Sequence, residues 1–156
     1  MHAEKTPQHE WLLQLVGEWT SETACGPAGS PLSGGREVVR AIGDVWIVLE
    51  GEMPMPGADP MRSVMTLGVD PFKGFVGTWI GSPMANLVVY DGTLDESAGT
   101  LTLACEAPSM EDPTKLVPYL DVVELRGPNE RALVSKAKGP DGEWVQFMEA
   151  VYRRVN

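Results

Sequence analysis

Two glutamates near the middle of the chain are the first residues whose type and spacing suggest chemistry. Glu50 and Glu52 lie two residues apart on a predicted strand, so they share one face with Trp46. If that face points inward, the two carboxylates lie about 7 Å apart in a pocket, where burial raises the pKa of at least one carboxyl group. Such a pair is suited to acid–base catalysis or to binding a cation. In the opposite orientation the inward residues are Ile47, Leu49 and Met53. The outward orientation of the glutamates is favoured because unpaired buried carboxylates are rare, so both are weak catalytic candidates.

Four methionines form a second group. They are Met53, Met55, Met61 and Met65, and prolines lie between them. Thioethers at such spacing could bind a soft cuprous ion, or they could form an adaptable apolar flap over a barrel mouth. The flap is favoured because no cysteine or histidine is close in sequence, and no metal site is expected.

Histidine and cysteine chemistry has little support. Both histidines, His2 and His9, fall in the first ten residues, and surface or helix-cap roles are favoured over a catalytic triad. The two cysteines, Cys25 and Cys105, are too few for a disulfide framework and wrongly spaced for a metal site. They are expected to pack as small apolar groups in a reducing compartment, which makes the cytoplasm the default location.

Composition limits the partners and the number of domains. The chain has 156 residues, 43% of them apolar, and a net charge of −10. This size predicts one domain over residues 1–156, with residues 1–5 expected to be disordered. The negative charge repels nucleic acid and anionic lipid. No run approaches the ~18 apolar residues of a membrane span, and the polar first five residues do not form a signal peptide.

One helix is predicted at the start. Thr6-Pro7 supplies an N-cap followed by proline at the first helical position. The apolar stripe that follows, about three turns long, consists of Trp11, Leu12, Leu15 and Val16. Gly17 is expected to end the helix.

Strand signals separated by turn residues fill the rest of the chain. The predicted strands are 18–24, 36–42, 45–53, 61–69, 75–80, 86–90, 100–107, 119–126, 131–137 and 143–153, with a loop over 25–35. A sheet of about ten antiparallel strands curls, and closure removes its exposed edges. The predicted fold is therefore all-β, an antiparallel up-and-down barrel of about ten strands with one short N-terminal helix.

A barrel of this width either encloses a cavity or flattens to remove it. If a cavity is present, apolar and aromatic side chains on the strands are the candidates to line it. The candidate ligand-binding residues are Trp46, Met65, Trp79, Tyr90 and Met148. Plain core packing is the alternative for each of them.

The two ends of the chain carry a resemblance to known families. Gly17-x-Trp19 at the first strand, with Arg153-Arg154 at the last, resembles the calycin superfamily of lipocalins and fatty-acid-binding proteins. The resemblance implies that Trp19 packs across the barrel floor and that Arg153 or Arg154 covers it, a structural lock that includes Gly17. Five stretches are similar to a bacterial family called domain of unknown function 1579: 15–19, 45–51, 67–70, 78–82 and 150–154.

That family has no established activity, so the resemblance implies a calycin-like fold and little chemistry. In a related branch, the nitrobindins, a late histidine holds haem. This chain has no histidine after His9, which excludes a histidine-ligated haem on the last strand, and no cofactor is expected.

Taken together, the sequence favours a cytoplasmic barrel that binds a small apolar or amphipathic molecule in its interior. One alternative is a filled barrel that works through its surface in protein–protein interaction or assembly, for example as a homodimer. A carboxylate enzyme using Glu50 and Glu52 is less favoured, and the sequence leans against catalysis without deciding the question. Any ligand site is expected at the mouth opposite the Trp19 lock.

Overall fold

The computed structural model describes residues 2–25 and 31–156, which form a closed barrel of ten antiparallel strands. The elements are α1 (Pro7–Leu13), β1 (Gly17–Cys25), β2 (Leu32–Ile42), β3 (Trp46–Met53), β4 (Met61–Asp70), β5 (Gly74–Gly81), β6 (Met84–Asp95), β7 (Thr100–Pro108), β8 (Leu116–Leu125), β9 (Glu130–Lys138) and β10 (Trp144–Arg154). Each strand pairs with its neighbours in sequence, and β1 closes the barrel against β10. This confirms the predicted all-β, up-and-down barrel with one N-terminal helix.

The inward side chains divide the barrel into a packed lower half and an open upper half. Strand β1 begins at the lower end, which we call the floor, and α1 packs there against β3 and β4. Large apolar side chains fill the space above the helix. Those with almost no exposure include Leu12, Leu15, Ile47, Leu67, Leu101 and Leu103. The core is therefore concentrated at the floor, and the opposite end, the mouth, is left for a site.

Helix α1 is shorter than predicted, because it ends at Leu13 rather than at Gly17. The chain then tightens, with the Leu15 and Val16 amides donating to carbonyls three residues back. This turn buries Leu15 completely under the barrel. His9 acts as a cap: its Nδ1 accepts a hydrogen bond from the Thr6 amide at 2.9 Å, so the ring is used structurally.

Strands β2 and β6 extend furthest beyond their predicted limits. Strand β2 begins at Leu32, inside the segment predicted as a loop over 25–35, and residues 26–30 of that loop lie outside the described residues. Strand β6 runs from Met84 to Asp95 rather than over 86–90, and a change of register between Trp79 and Gly81 marks its pairing with β5. Such bulges interrupt the two-residue alternation on which the prediction depends.

The chain ends meet at Trp19, which is 2% exposed and lies on the floor. The Trp19 indole N–H donates to the Leu15 carbonyl at 2.9 Å, and the Arg154 guanidinium lies 4.2 Å above the ring. Arg154 also donates to the carbonyls of Val16 and Gln14, both at 2.7 Å. The last strand is thereby fastened to the segment that precedes the first.

The other two residues predicted to form this lock, Gly17 and Arg153, differ in what they contact. Gly17 has φ 144°, and a Cβ there would come within 2.5 Å of the Arg154 Nη1, so glycine lets the arginine reach the backbone. Arg153 points outward and pairs with Glu130 at 3.7 Å. Of the two terminal arginines, Arg154 occupies the covering position.

Candidate functional site

An apolar cavity of about 450 Å³ occupies the upper half of the barrel. Seven of the eight methionines in the chain line it: Met53, Met55, Met61, Met65, Met84, Met110 and Met148. They come from β3, β4, β6, β10 and two connecting segments, so they surround the mouth rather than cluster at one point. Because methionine is flexible and polarizable, such a wall adapts to occupants of different shape.

A hydrogen-bonded cluster of polar side chains interrupts this apolar wall. At its centre is Asp121, which faces inward from β8. Its Oδ2 accepts the Tyr90 hydroxyl at 2.5 Å, and its Oδ1 accepts the Ser135 hydroxyl at 2.6 Å. Burial, the Asp121 charge and this hydrogen bond together raise the pKa of Tyr90 well above its usual range. The tyrosine therefore remains a hydrogen-bond donor at any physiological pH.

Both cysteines line the same cavity, in different surroundings. Cys25 is exposed at the mouth, and Cys105 is half-buried beside Asp121. Burial, and then the charge of Asp121, raise the pKa of the Cys105 thiol to about 12. Since the thiolate is the nucleophile, Cys105 is unsuited to covalent catalysis at neutral pH.

A buried ion pair separates the cavity from the packed floor. The Arg131 side chain is 3% exposed and pairs with Glu37, which is 12% exposed and lines the cavity. The Arg131 guanidinium stacks between Trp19 and Tyr152, 4.6 and 4.0 Å from the two ring centroids. Burial and the nearby Glu37 carboxylate raise the pKa of Tyr152 above its usual range.

In the described part of the chain, the Arg131 Nε is the one buried side-chain nitrogen or oxygen without a hydrogen-bond partner. The aromatic rings above and below this guanidinium compensate for part of the missing bond through cation–π contact. The pair thus forms a charged but neutralised layer beneath the cavity.

Four of the five predicted ligand-binding residues line this cavity: Met65, Trp79, Tyr90 and Met148. Trp46 does not. It lies on the outer face of β3, is 40% exposed and packs over Gly68 of the neighbouring strand. A tryptophan in that position covers backbone from the outside and does not reach the interior.

Glu50 and Glu52 also lie on the outer side of β3. Glu50 pairs with Arg40 and Glu52 with Arg62, and the side chains of both glutamates are 51% exposed. Glu52 reaches the rim of the cavity, whereas Ile47, Leu49 and Met53 are buried inside. The two carboxylates therefore do not form a buried catalytic pair.

Sequence reasoning missed the polar residues of the interior. These are Glu37, Asp121, Arg131 and Ser135, together with the thiol of Cys105. The spacing of residues in β8 and β9 could have indicated them. Asp121 shares a strand face with Tyr119 and Val123, and Ser135 shares one with Leu133. A polar residue in phase with the apolar positions of a half-buried strand is a candidate interior group.

Comparison with known proteins identifies the family. The model of the family described as "Protein of unknown function (DUF1579)" matches residues 4–154. The chain belongs to this family. The resemblance noted in five stretches of the sequence is thereby confirmed over nearly the whole chain. A comparison with curated protein sequences gives no match.

Solved structures similar to this DUF1579 protein share its fold at low sequence identity. Rv2717c from M. tuberculosis has a TM-score of 0.60 at 12% identity, over 98% of this chain and 100% of that one. A redesigned β-barrel has a TM-score of 0.51 at 10% identity, over 99% and 100%. A de novo fluorescence-activating β-barrel has a TM-score of 0.50 at 11% identity, over 96% and 99%. At such identities the likeness concerns the fold alone.

Two further observations concern residues 2–25 and 31–156. They contain no group of three or more histidine, cysteine, aspartate or glutamate side chains placed to hold a metal ion. None of their helices has the length and apolar character needed to cross a bilayer.

Proposed function

We propose that this DUF1579 protein binds one small apolar or amphipathic molecule in the upper half of its barrel. The observation that carries the proposal is the cavity of about 450 Å³ with seven methionines on its wall. This volume falls in the range of small-molecule sites, roughly 300–1,000 Å³. Protein interiors are normally close-packed, and a contiguous apolar surface of this extent that is open to solvent is typical of a ligand site.

The polar groups of the cavity suit binding better than catalysis. Tyr90 and Ser135 already donate their hydroxyl hydrogens to Asp121. Cys105 stays protonated at neutral pH, because its pKa is raised to about 12. These three groups can orient a ligand, and none of them is an activated nucleophile.

The fluorescence of Trp79 provides the test, because this residue lines the cavity. Titration with a panel of lipids and aromatic metabolites is expected to change tryptophan emission with a one-to-one endpoint. Trp79→Phe should abolish most of the change, and Trp46→Phe on the outer face should leave it intact. An emission change that survives Trp79→Phe undiminished, or no change with any compound, would count against the proposal.

An assembly role has one observation in its favour. Three large apolar side chains are more than half exposed on the outer faces of β5 and β6: Ile80, Leu87 and Val89. Neighbouring apolar residues on a sheet face suit contact with a second copy of the chain. Light scattering tests this alternative: a dimer that Leu87→Glu dissociates supports it, and a monomer at all concentrations opposes it.

A further inference from the structure

The charges on the cavity wall restrict what the ligand can be. Glu37 is neutralised by Arg131 beneath the cavity, and Glu52 lies at the rim beside Arg62, at 3.9 Å. Asp121 differs from both, because within the described residues it takes part in no ion pair. Arg36 is the other charged lining residue without an ion pair in the described part of the chain, and it is exposed. The Asp121 carboxylate is therefore the uncompensated negative charge inside the barrel.

Asp121 also retains the capacity to accept further hydrogen bonds. A carboxylate offers about four acceptor positions, and Tyr90 and Ser135 occupy one on each oxygen. Register places Asp121 opposite Leu103 on one side and Ser135 on the other, and beyond its hydroxyl partners the cavity wall is mostly methionine and other apolar side chains. An N–H donor entering from the mouth would meet a fixed acceptor in a largely apolar setting, where charge-assisted hydrogen bonds are strong.

The same arrangement disfavours a carboxylate ligand. The hydroxyl hydrogens of Tyr90 and Ser135 are directed to Asp121, and the Tyr119 hydroxyl donates to the Pro108 carbonyl at 2.7 Å. The Arg131 guanidinium lies below the cavity and is paired with Glu37. Arg36 also belongs to the cavity lining, but it is exposed and precedes the inward Glu37 on β2, so its side chain points to the opposite face. An anion beside Asp121 would therefore meet a negative charge with no inward cation to offset it.

We infer that the cavity selects an amphipathic amine: an apolar body carrying one protonated nitrogen that donates to Asp121. The methionine wall holds the apolar part, and the carboxylate fixes the cationic end. This inference rests on the proposed binding function and specifies its ligand class.

Three probes of equal chain length test the selectivity: decylamine, decanol and decanoate, below their micelle-forming concentrations and at physiological salt. Calorimetry is expected to show decylamine binding at least about tenfold more tightly than decanol, with decanoate weakest. Physiological salt screens the general attraction of cations to a chain of net charge −10. Propylamine, which has the same charge and little apolar body, should bind weakly.

Two variants then locate the effect. Asp121→Asn keeps the size of the side chain and should reduce the preference for decylamine over decanol to about twofold or less, mainly through weaker decylamine binding. Glu50→Gln removes one negative charge from the outer face and should leave the preference as it is. The wild-type comparison remains decisive even if Asp121→Asn folds poorly.

Different outcomes would overturn the amine selectivity and the proposed binding function. Equal affinity of the wild type for all three probes, or a decylamine preference that survives in folded Asp121→Asn, would overturn the amine selectivity and leave the binding function standing. If none of the three probes binds and no compound of the wider panel changes the emission of Trp79, the binding function itself would be overturned.

Discussion

Replacing Trp19 by alanine should test the structural lock at the barrel floor. Trp19 is 2% exposed, bonds the Leu15 carbonyl and lies against two guanidinium groups, those of Arg131 and Arg154. Truncation of a buried tryptophan to alanine costs roughly 3–5 kcal/mol through lost packing and the cavity that remains. Because two cation–π contacts and a hydrogen bond are lost with the ring, we expect about 4 kcal/mol or more.

Trp19→Phe separates the contributions. Phenylalanine retains an aromatic face between Arg131 and Arg154 but cannot donate to the Leu15 carbonyl. We expect it to cost about 1–3 kcal/mol, the range for leaving a buried acceptor unpaired. Trp46→Ala is the matched control, since Trp46 is 40% exposed on the outer face and its loss should cost only about 1 kcal/mol.

Urea unfolding followed by far-UV circular dichroism measures these differences without depending on tryptophan emission. A loss below about 1 kcal/mol for Trp19→Ala, or a loss no greater than that of Trp46→Ala, would refute the reasoning. The floor would then be held together by the remaining core and not by the lock.

Two further predictions concern the termini and the cavity thiols. Arg154→Met should destabilise the barrel by about 2–4 kcal/mol in the same urea assay, because the Val16 and Gln14 carbonyls lose the hydrogen bonds that the guanidinium donates. Arg153→Met should change the stability by no more than about 0.5 kcal/mol. A stability loss shared equally by both variants would contradict this assignment. With a disulfide reagent near pH 8, Cys25 should react quickly and Cys105 slowly, since a pKa of about 12 leaves only about one thiol in ten thousand ionised. The Cys105 rate should rise about tenfold per pH unit up to that pKa, and equal rates for both thiols near pH 8 would show that Cys105 is not shielded.

The sequence predicted the fold well because its signals are local. Turn residues separate the strands, and Gly17-x-Trp19 marks the start of the first. The errors arose where alternation is interrupted or hydrogen bonding tightens, at the bulge beside β6 and at the end of α1. Neither feature changes residue composition enough to be recognised in advance.

The site was less predictable, because a residue's type does not show which face of a strand turns inward. Trp46 and Glu50 share one face of β3, so an inward Trp46 was incompatible with the favoured outward Glu50. Asp121 resembled an ordinary solvated residue until barrel closure placed it beside Tyr90, which lies 31 positions away. Contacts between distant strands cannot be read from one segment.

Filling the cavity from one side tests directly whether it binds a small molecule. Ala107 on β7 faces the cavity, and Ala104 on the same strand is exposed on the outer face. A neutral naphthylamine dye that brightens in apolar surroundings is expected to bind the wild type and Ala104→Trp at one site with equal affinity. Ala107→Trp, if folded, should lose that binding. Equal dye binding by all three proteins would contradict an interior ligand site.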